Sequence, residues 1–180
     1  RQRQMCIRDR DDSYICDSGR IFGNAQMYDN CVIKDFGRVF DNAILSGYAM
    51  VSNTASVFDN AKAKEKTRIT ENCFVYGNSV VKGKSRIGGF ARIFDYAEVD
   101  EYATVYDNSC VYDNAKIQGH ARIFDFACIE GNAVAKGNCR IFGNAELSYY
   151  SCVSGSSWIS ENANISGFAR IDGDVHITCL

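Results

Sequence analysis

The sequence predicts an all-β chain wound as a single-stranded triangular solenoid of parallel strands, and three regularities predict it. From Ser13 to Leu180 one six-residue phrase repeats 28 times without insertion or deletion. Outward aromatic residues recur at a spacing of 18, which is three phrases to a turn. Proline is absent from all 180 residues, as expected where nearly every backbone N–H is needed for a ladder bond. A fixed short period of this kind marks a repeat architecture.

The phrase reads small, x, aliphatic, x, Gly or Asp, Asn or aromatic, as in Ala25 Gln26 Met27 Tyr28 Asp29 Asn30. Its first position is Ala, Ser, Cys, Gly or Thr in 27 of 28 phrases, and its third is Ile, Val, Leu or Met in 26. Only Val175 breaks the first rule, and Ala63 and Ala135 the second. Six residues are three side-chain alternations, so positions one, three and five point one way and two and four the other. Gly (12 phrases) or Asp (9) at the fifth position, then Asn (12) at the sixth, is the chemistry of a tight bend, because Gly, Asn and Asp tolerate positive φ. Each phrase is therefore one flat side of a coil.

The fourth position counts the sides. Phe22, Phe40, Phe58, Tyr76, Phe94 and Tyr112 are spaced 18 apart, and Tyr106, Phe124 and Phe142 form a second row. Nine of the ten aromatics at that position fall in these rows, which requires a coil of three phrases. With strands stacked about 4.8 Å apart, roughly nine coils make a prism about 45 Å long.

Residues 13–180 thus read as one continuous repeat domain, stabilised by contacts between neighbouring coils. Residues 1–12 fall outside the phrase, since extending the frame backwards puts Asp9 where an aliphatic belongs. The string Arg3 to Arg10 resembles the translation of a sequencing adapter, so this leader reads as non-native or disordered. Leu180 ends the pattern with no polar coil to cover the last edge, and the chain reads as a fragment of a longer one. A net charge of −2 gives no electrostatic case for nucleic acid, and the sequence holds no apolar run long enough for a membrane span. The nine cysteines follow the phrase rather than a disulfide framework. Cys31, Cys73 and Cys139 occupy the small inward position, and Cys110 and Cys128 are outward neighbours; reduced thiols in a cytoplasmic protein are expected, with a Cys110–Cys128 disulfide as the alternative. No Cys/His cluster points to a metal site.

Segments such as Ile141 Phe142 Gly143 Asn144 Ala145 and Val57 Phe58 Asp59 Asn60 Ala61 resemble the motif of the hexapeptide-repeat superfamily. The resemblance covers 168 of the 180 residues. It implies a left-handed parallel β-helix, and it is nearest to bacterial solenoids labelled acyltransferases. Enzymes of this superfamily use a His as general base beside an acyl-CoA channel between subunits, often under a loop that interrupts the coils. This chain has two His and no interrupting loop. His120 stands at a sixth-position corner between Tyr102 and Asn138 of adjacent coils, where it also serves as an ordinary bend residue. The related γ-type carbonic anhydrases need three His, which His120 and His176 cannot supply. Stacked corner carboxylates, among them Asp17 with Asp35, Asp41 with Asp59, Asp95 with Asp113 and Asp107 with Asp125, suit turns without invoking a hard cation. Asn24, Asn42, Asn60 and Asn78 form a comparable row whose amides can bond along the axis.

The outward surface departs most from what folding requires. Arg20, Arg38 and Arg92 lie two residues before ladder aromatics on one face, and Arg122 and Arg140 do so on another. Cation–π contacts between each Arg and its ring are one expectation. A strip of six rings is also a large apolar surface for a monomer. The residues therefore point to a non-catalytic scaffold or assembly module, homo-oligomeric or bound to a protein partner, that needs no cofactor. Its interface would comprise Arg20, Phe22, Arg38, Phe40, Phe58, Tyr76, Arg92, Phe94, Tyr112, Phe124 and Phe142. The alternative implied by the resemblance is an acyltransferase with acyl-CoA as co-substrate and His120 as base.

Overall fold

A computed structural model describes residues 12–179 together with the backbone of 7–9. From Ser13 onward the chain is a parallel β-solenoid of about nine coils, three short strands to the coil. The strands Ser13–Ile15, Arg20–Ile21 and Gln26–Met27 open three faces, here faces 1, 2 and 3. Every later pairing is parallel and shifted by 18 residues, as in Tyr14 with Val32, Arg20 with Arg38 and Gln26 with Ile44. Ahead of them Ile7–Asp9 pairs antiparallel with Ser13–Ile15. Leader residues 1–6, 10 and 11 lie outside the described ones.

The repeat works because each alternate backbone group has a partner in the next coil. Tyr14, Cys16 and Ser18 donate their N–H groups to the carbonyls of Cys31, Ile33 and Asp35 at 2.9, 3.0 and 2.7 Å, and the same step of 17 residues recurs along the rod. At several corners the fourth residue's carbonyl turns inward and accepts from the first residue of the next phrase. Ala43 N–H donates to Phe40 O at 3.3 Å. Ser79, Ser85 and Ser109 bond the equivalent carbonyl with their hydroxyls at 2.8, 2.7 and 2.6 Å, which is how Ser enters an otherwise apolar interior at no desolvation cost. Thr67 and Ser151 hold the same position with no hydrogen-bond partner for the buried hydroxyl.

The fifth position is the hinge of every corner. From Asp17 to Gly173 each fifth residue has positive φ, whether Gly or not. Gly83 could not be replaced cheaply, since a Cβ there would meet the Glu101 backbone N at 2.5 Å. Asp solves the corner differently. Asp29, Asp59, Asp113 and Asp125 accept the backbone N–H of the fifth residue one coil on, at 2.7, 3.1, 3.1 and 3.1 Å. That N–H takes no part in the ladder, so these acidic corner residues are backbone caps. The Asn row also forms, with Asn24 bonded to Asn42 at 3.2 Å and Asn42 to Asn60 at 3.4 Å.

The first and third residues fill the prism, and Ile33, Leu45, Ile69, Ile87, Ile93 and Ile117 are fully buried. Ala63 and Ala135 are fully buried too, so the two departures from the aliphatic rule thin the core without exposing it. The coils wind left-handed, against the usual sense of parallel crossovers. That usual sense comes from strand twist, and strands of two residues give twist no length over which to act.

The register makes a sharp expectation for one strand. Val105 is fully buried and Tyr106 faces outward. Val105→Asp should cost about 3 kcal/mol or more and unfold neighbouring coils, while Tyr106→Asp should leave most of the melting temperature intact. Equal losses would overturn the register. Tyr149 holds φ 58° with a side chain ill suited to it, whereas Asn53 occupies the equivalent corner position at φ 57°. Tyr149→Asn should therefore stabilise the rod by about 1 kcal/mol, read as a rise in thermal midpoint.

Candidate functional site: an aromatic and arginine face

On face 2 the six fourth-position rings form one continuous stack. Successive centroids from Phe22 through Phe40, Phe58, Tyr76, Phe94 to Tyr112 lie 4.9, 4.9, 5.0, 5.0 and 4.8 Å apart, with planes within 5° of parallel. The coil spacing imposes this geometry. Each ring spends its faces on its neighbours and keeps an edge outward, so from Phe40 to Tyr112 the rings are half-buried rather than bare. The stack ends where Tyr112 donates its hydroxyl to Glu130 one coil on. That bond, with burial and Cys128 adding to it, holds the Tyr112 hydroxyl protonated well above the usual phenol range.

The second row is only partly a stack. Phe124 and Phe142 are parallel at 4.9 Å, and Phe142 then meets Trp158 edge-on at 6.5 Å. Tyr106 does not join them. Its ring lies against Gly88, where a Cβ would come within 2.5 Å of it, because glycine at that outward position leaves a recess into which the ring tilts.

The arginines also differ from expectation. Arg20, Arg38, Arg92 and Arg122 are exposed, and among the described residues none makes a cation–π contact with the ring two residues on. Arg140 does stack, but over Trp158 of the next coil, 4.8 Å from its centroid. Side chains two apart on a strand stand side by side, whereas stacking needs the 4.8 Å step between coils. Nor do these arginines form ion pairs among the described residues; the lysine and arginine pairs there are those of Lys82 with Glu98 and Asp100 and of Lys116 with Glu98.

Sequence reasoning missed the corner aromatics beside face 2. Phe36 and Phe90 are 60% and 58% exposed, and each stands two residues before an arginine. Outward side chains in two coils therefore read Phe36, Arg38, Phe40 and Phe90, Arg92, Phe94. The sixth-position rule already contained this signal, since an aromatic there replaces the usual Asn.

His120 sits exposed at the corner between faces 3 and 1, its ring stacked on Tyr102 at 4.7 Å. No carboxylate or carbonyl among the described residues orients it. Cys110 and Cys128 are free thiols, although the two are ladder neighbours. No group of three or more metal-ligating side chains occurs among the described residues, and no helix there is long and apolar enough to cross a membrane.

Fold and surface together define a parallel β-solenoid with a stacked aromatic face. No protein-family model matches the chain, and no curated protein matches its sequence.

The buried cysteines supply a pH test of the core. Burial pushes the thiols of Cys31, Cys73 and Cys139 up to about 11, 12 and 12. A raised folded value stabilises the fold fully below the ordinary thiol range, and that contribution is lost as pH climbs through the folded values. Stability should therefore fall from about pH 9 upward. In the folded chain at pH 8, alkylation followed by mass spectrometry should modify exposed Cys179 and spare Cys31, Cys73 and Cys139. Rapid labelling of those three would overturn their placement in the prism.

Proposed function

We propose that the protein is a non-catalytic scaffold that assembles through face 2, packing its aromatic and arginine surface against a second copy of the chain. The observation that carries this reading is the repeated outward triplet Phe36, Arg38, Phe40 and Phe90, Arg92, Phe94, whose arginines have no ion-pair or ring partner among the described residues. Aromatic rings and arginine are the residue types enriched in interface cores. Stacking along the ladder explains the fourth-position rings alone, each step worth about 0.5 to 1.5 kcal/mol. It does not explain the large exposed rings at Phe36 and Phe90, which contribute nothing to the prism. A face of fixed pitch is also rigid before contact, so little ordering entropy is lost on docking.

A second reading, an acyl-CoA-dependent transferase, draws on the resemblance of the repeat and on one observation, that His120 shares its corner with a lysine-lined groove. There His120 would act as general base. Turnover of acetyl-CoA with a sugar or amine acceptor, abolished by His120→Ala, would replace the scaffold reading with this one.

The test of assembly is Phe40→Ser, Phe58→Ser and Phe94→Ser together. The triple variant should dissociate the assembly by light scattering while keeping β-rich circular dichroism, and Arg38→Ser with Arg92→Ser should weaken it. A parent protein that is already monomeric, with no crosslink through face 2, would overturn the proposal.

A further inference from the structure

The corner between faces 3 and 1 carries a concentration of positive charge that folding does not call for. Two stacked coils repeat one phrase, Lys64 Glu65 Lys66 Thr67 Arg68 and Lys82 Gly83 Lys84 Ser85 Arg86. The outward residues form three like-charged neighbour pairs. Lys64 and Lys66 donate backbone N–H groups to Val81 and Gly83, which sets them beside Lys82 and Lys84, and Arg68 is the direct ladder partner of Arg86. Like charges opposite one another in a sheet are destabilising. Of the six cations, Lys82 alone has carboxylate partners among the described residues, Glu98 at 2.6 Å and Asp100 at 3.3 Å. Lys66, Arg68, Lys84 and Arg86 are exposed.

A groove of about 520 Å³ follows this corner along the rod, floored by Gly47 and Gly83 and walled by Tyr48, Lys66, Lys84 and Tyr102. Glu65 and Glu101 also reach it, and neither is within ion-pair distance of a described cation. The ammonium of Lys66 lies 5.7 Å over the Tyr48 ring, and that of Lys84 lies 4.8 Å over the Tyr102 ring while donating to its hydroxyl at 3.0 Å. Coil by coil the column reads Tyr, Lys, Lys, Tyr, with flat rings at both ends and cations between.

The spacing selects the ligand. One side chain per coil sets a repeat of about 4.8 Å. An extended peptide presents same-side groups about 6.6 Å apart and a duplex strand advances about 3.4 Å per phosphate, so both fall out of step within a few coils. A linear chain of pyranose rings advances one ring in nearly one coil spacing. Its hydroxyls meet the outward edges and phenol groups of the tyrosines, and carboxylate or sulfate groups on its rings meet ammonium and guanidinium groups as charge-assisted hydrogen bonds. We propose that this corner binds an acidic glycan lying along the rod, its hydroxyls against the outward edges of Tyr48 and Tyr102 and its anionic groups on Lys66 and Lys84, with Arg68 and Arg86 beside them. The site is on a different edge from face 2 and stands or falls independently of assembly.

Calorimetry on the full chain tests it with an oligogalacturonate, a sulfated heparin oligosaccharide, a methyl-esterified neutral oligogalacturonate, inorganic tripolyphosphate and coenzyme A. At least one acidic glycan should bind, the neutral one should not, and the stronger of the first two identifies carboxylate or sulfate. Salt at about 0.3 M should weaken binding markedly, because exposed charges are screened. Lys66→Ser with Lys84→Ser should lower affinity about tenfold or more. Tyr48→Ser with Tyr102→Ser should lower it several-fold while leaving the salt dependence unchanged. Lys34→Ser with Lys116→Ser, off this corner, should leave it intact, and circular dichroism should be unchanged throughout because these side chains point outward. The proposal is overturned if neither acidic glycan binds, if the lysine pair is dispensable, or if tripolyphosphate or coenzyme A binds tightest without needing the tyrosines.

Discussion

The hydrogen bonds from each coil to the next are the constraint on which this protein depends. Second, fourth and sixth residues donate to carbonyls 17 positions on, and a single added residue would move every later side chain to the wrong side of the wall. This explains why 28 phrases run without an insertion. It also explains why the corners matter as much as the core. A corner must turn the chain sharply within two residues and still leave its N–H groups satisfied; positive φ at the fifth position meets the first demand at every corner, and an Asp there that bonds the N–H one coil on meets the second at several.

Once the coil spacing is set, it acts on every outward side chain. Rings 18 residues apart are forced parallel near 4.9 Å, amides bond into rows, and like charges are held together whether or not that is favourable. The same rule thus yields stabilising and destabilising columns. Where it yields stacked phenylalanine the fold gains; where it yields Lys66 beside Lys84 and Arg68 beside Arg86 it loses. Natural proteins depart from local rules of this kind mainly at functional sites. Face 2 and the lysine corner are places on the rod where the surface exceeds what folding needs, one with exposed rings and arginines, the other with uncompensated charge.

A rod with such surfaces works as a ruler. Its groups are placed at fixed intervals along an axis, pre-organised by the backbone rather than by flexible loops, and both proposed roles use that property. Assembly uses a flat face presenting rings and cations in register; glycan binding uses an edge whose repeat matches a polymer's. Neither requires a side chain with an activated proton.

The solenoid, its three-phrase coil, the inward and outward sets and the six-ring ladder were all legible in the residues, because a period of six over a spacing of 18 admits one simple packing and each position repeats the evidence. The Asn row and the free cysteines followed for the same reason. What only the tertiary structure decided were contacts between residues that break the repeat. Tyr106 leaves its row because Gly88 opens a recess beneath it, Arg140 turns to Trp158 instead of Phe142, and Tyr112 ends the ladder on Glu130. Corner carboxylates emerged as acceptors for leftover N–H groups, a role invisible without knowing which donors the ladder leaves free. The lysine groove needed the structure as well, since its walls come from neighbouring coils, whereas the triplets around Arg38 and Arg92 were already written in the sixth-position aromatics. Periodicity determines where a side chain stands; its partner depends on the local shape that each exception to the period creates.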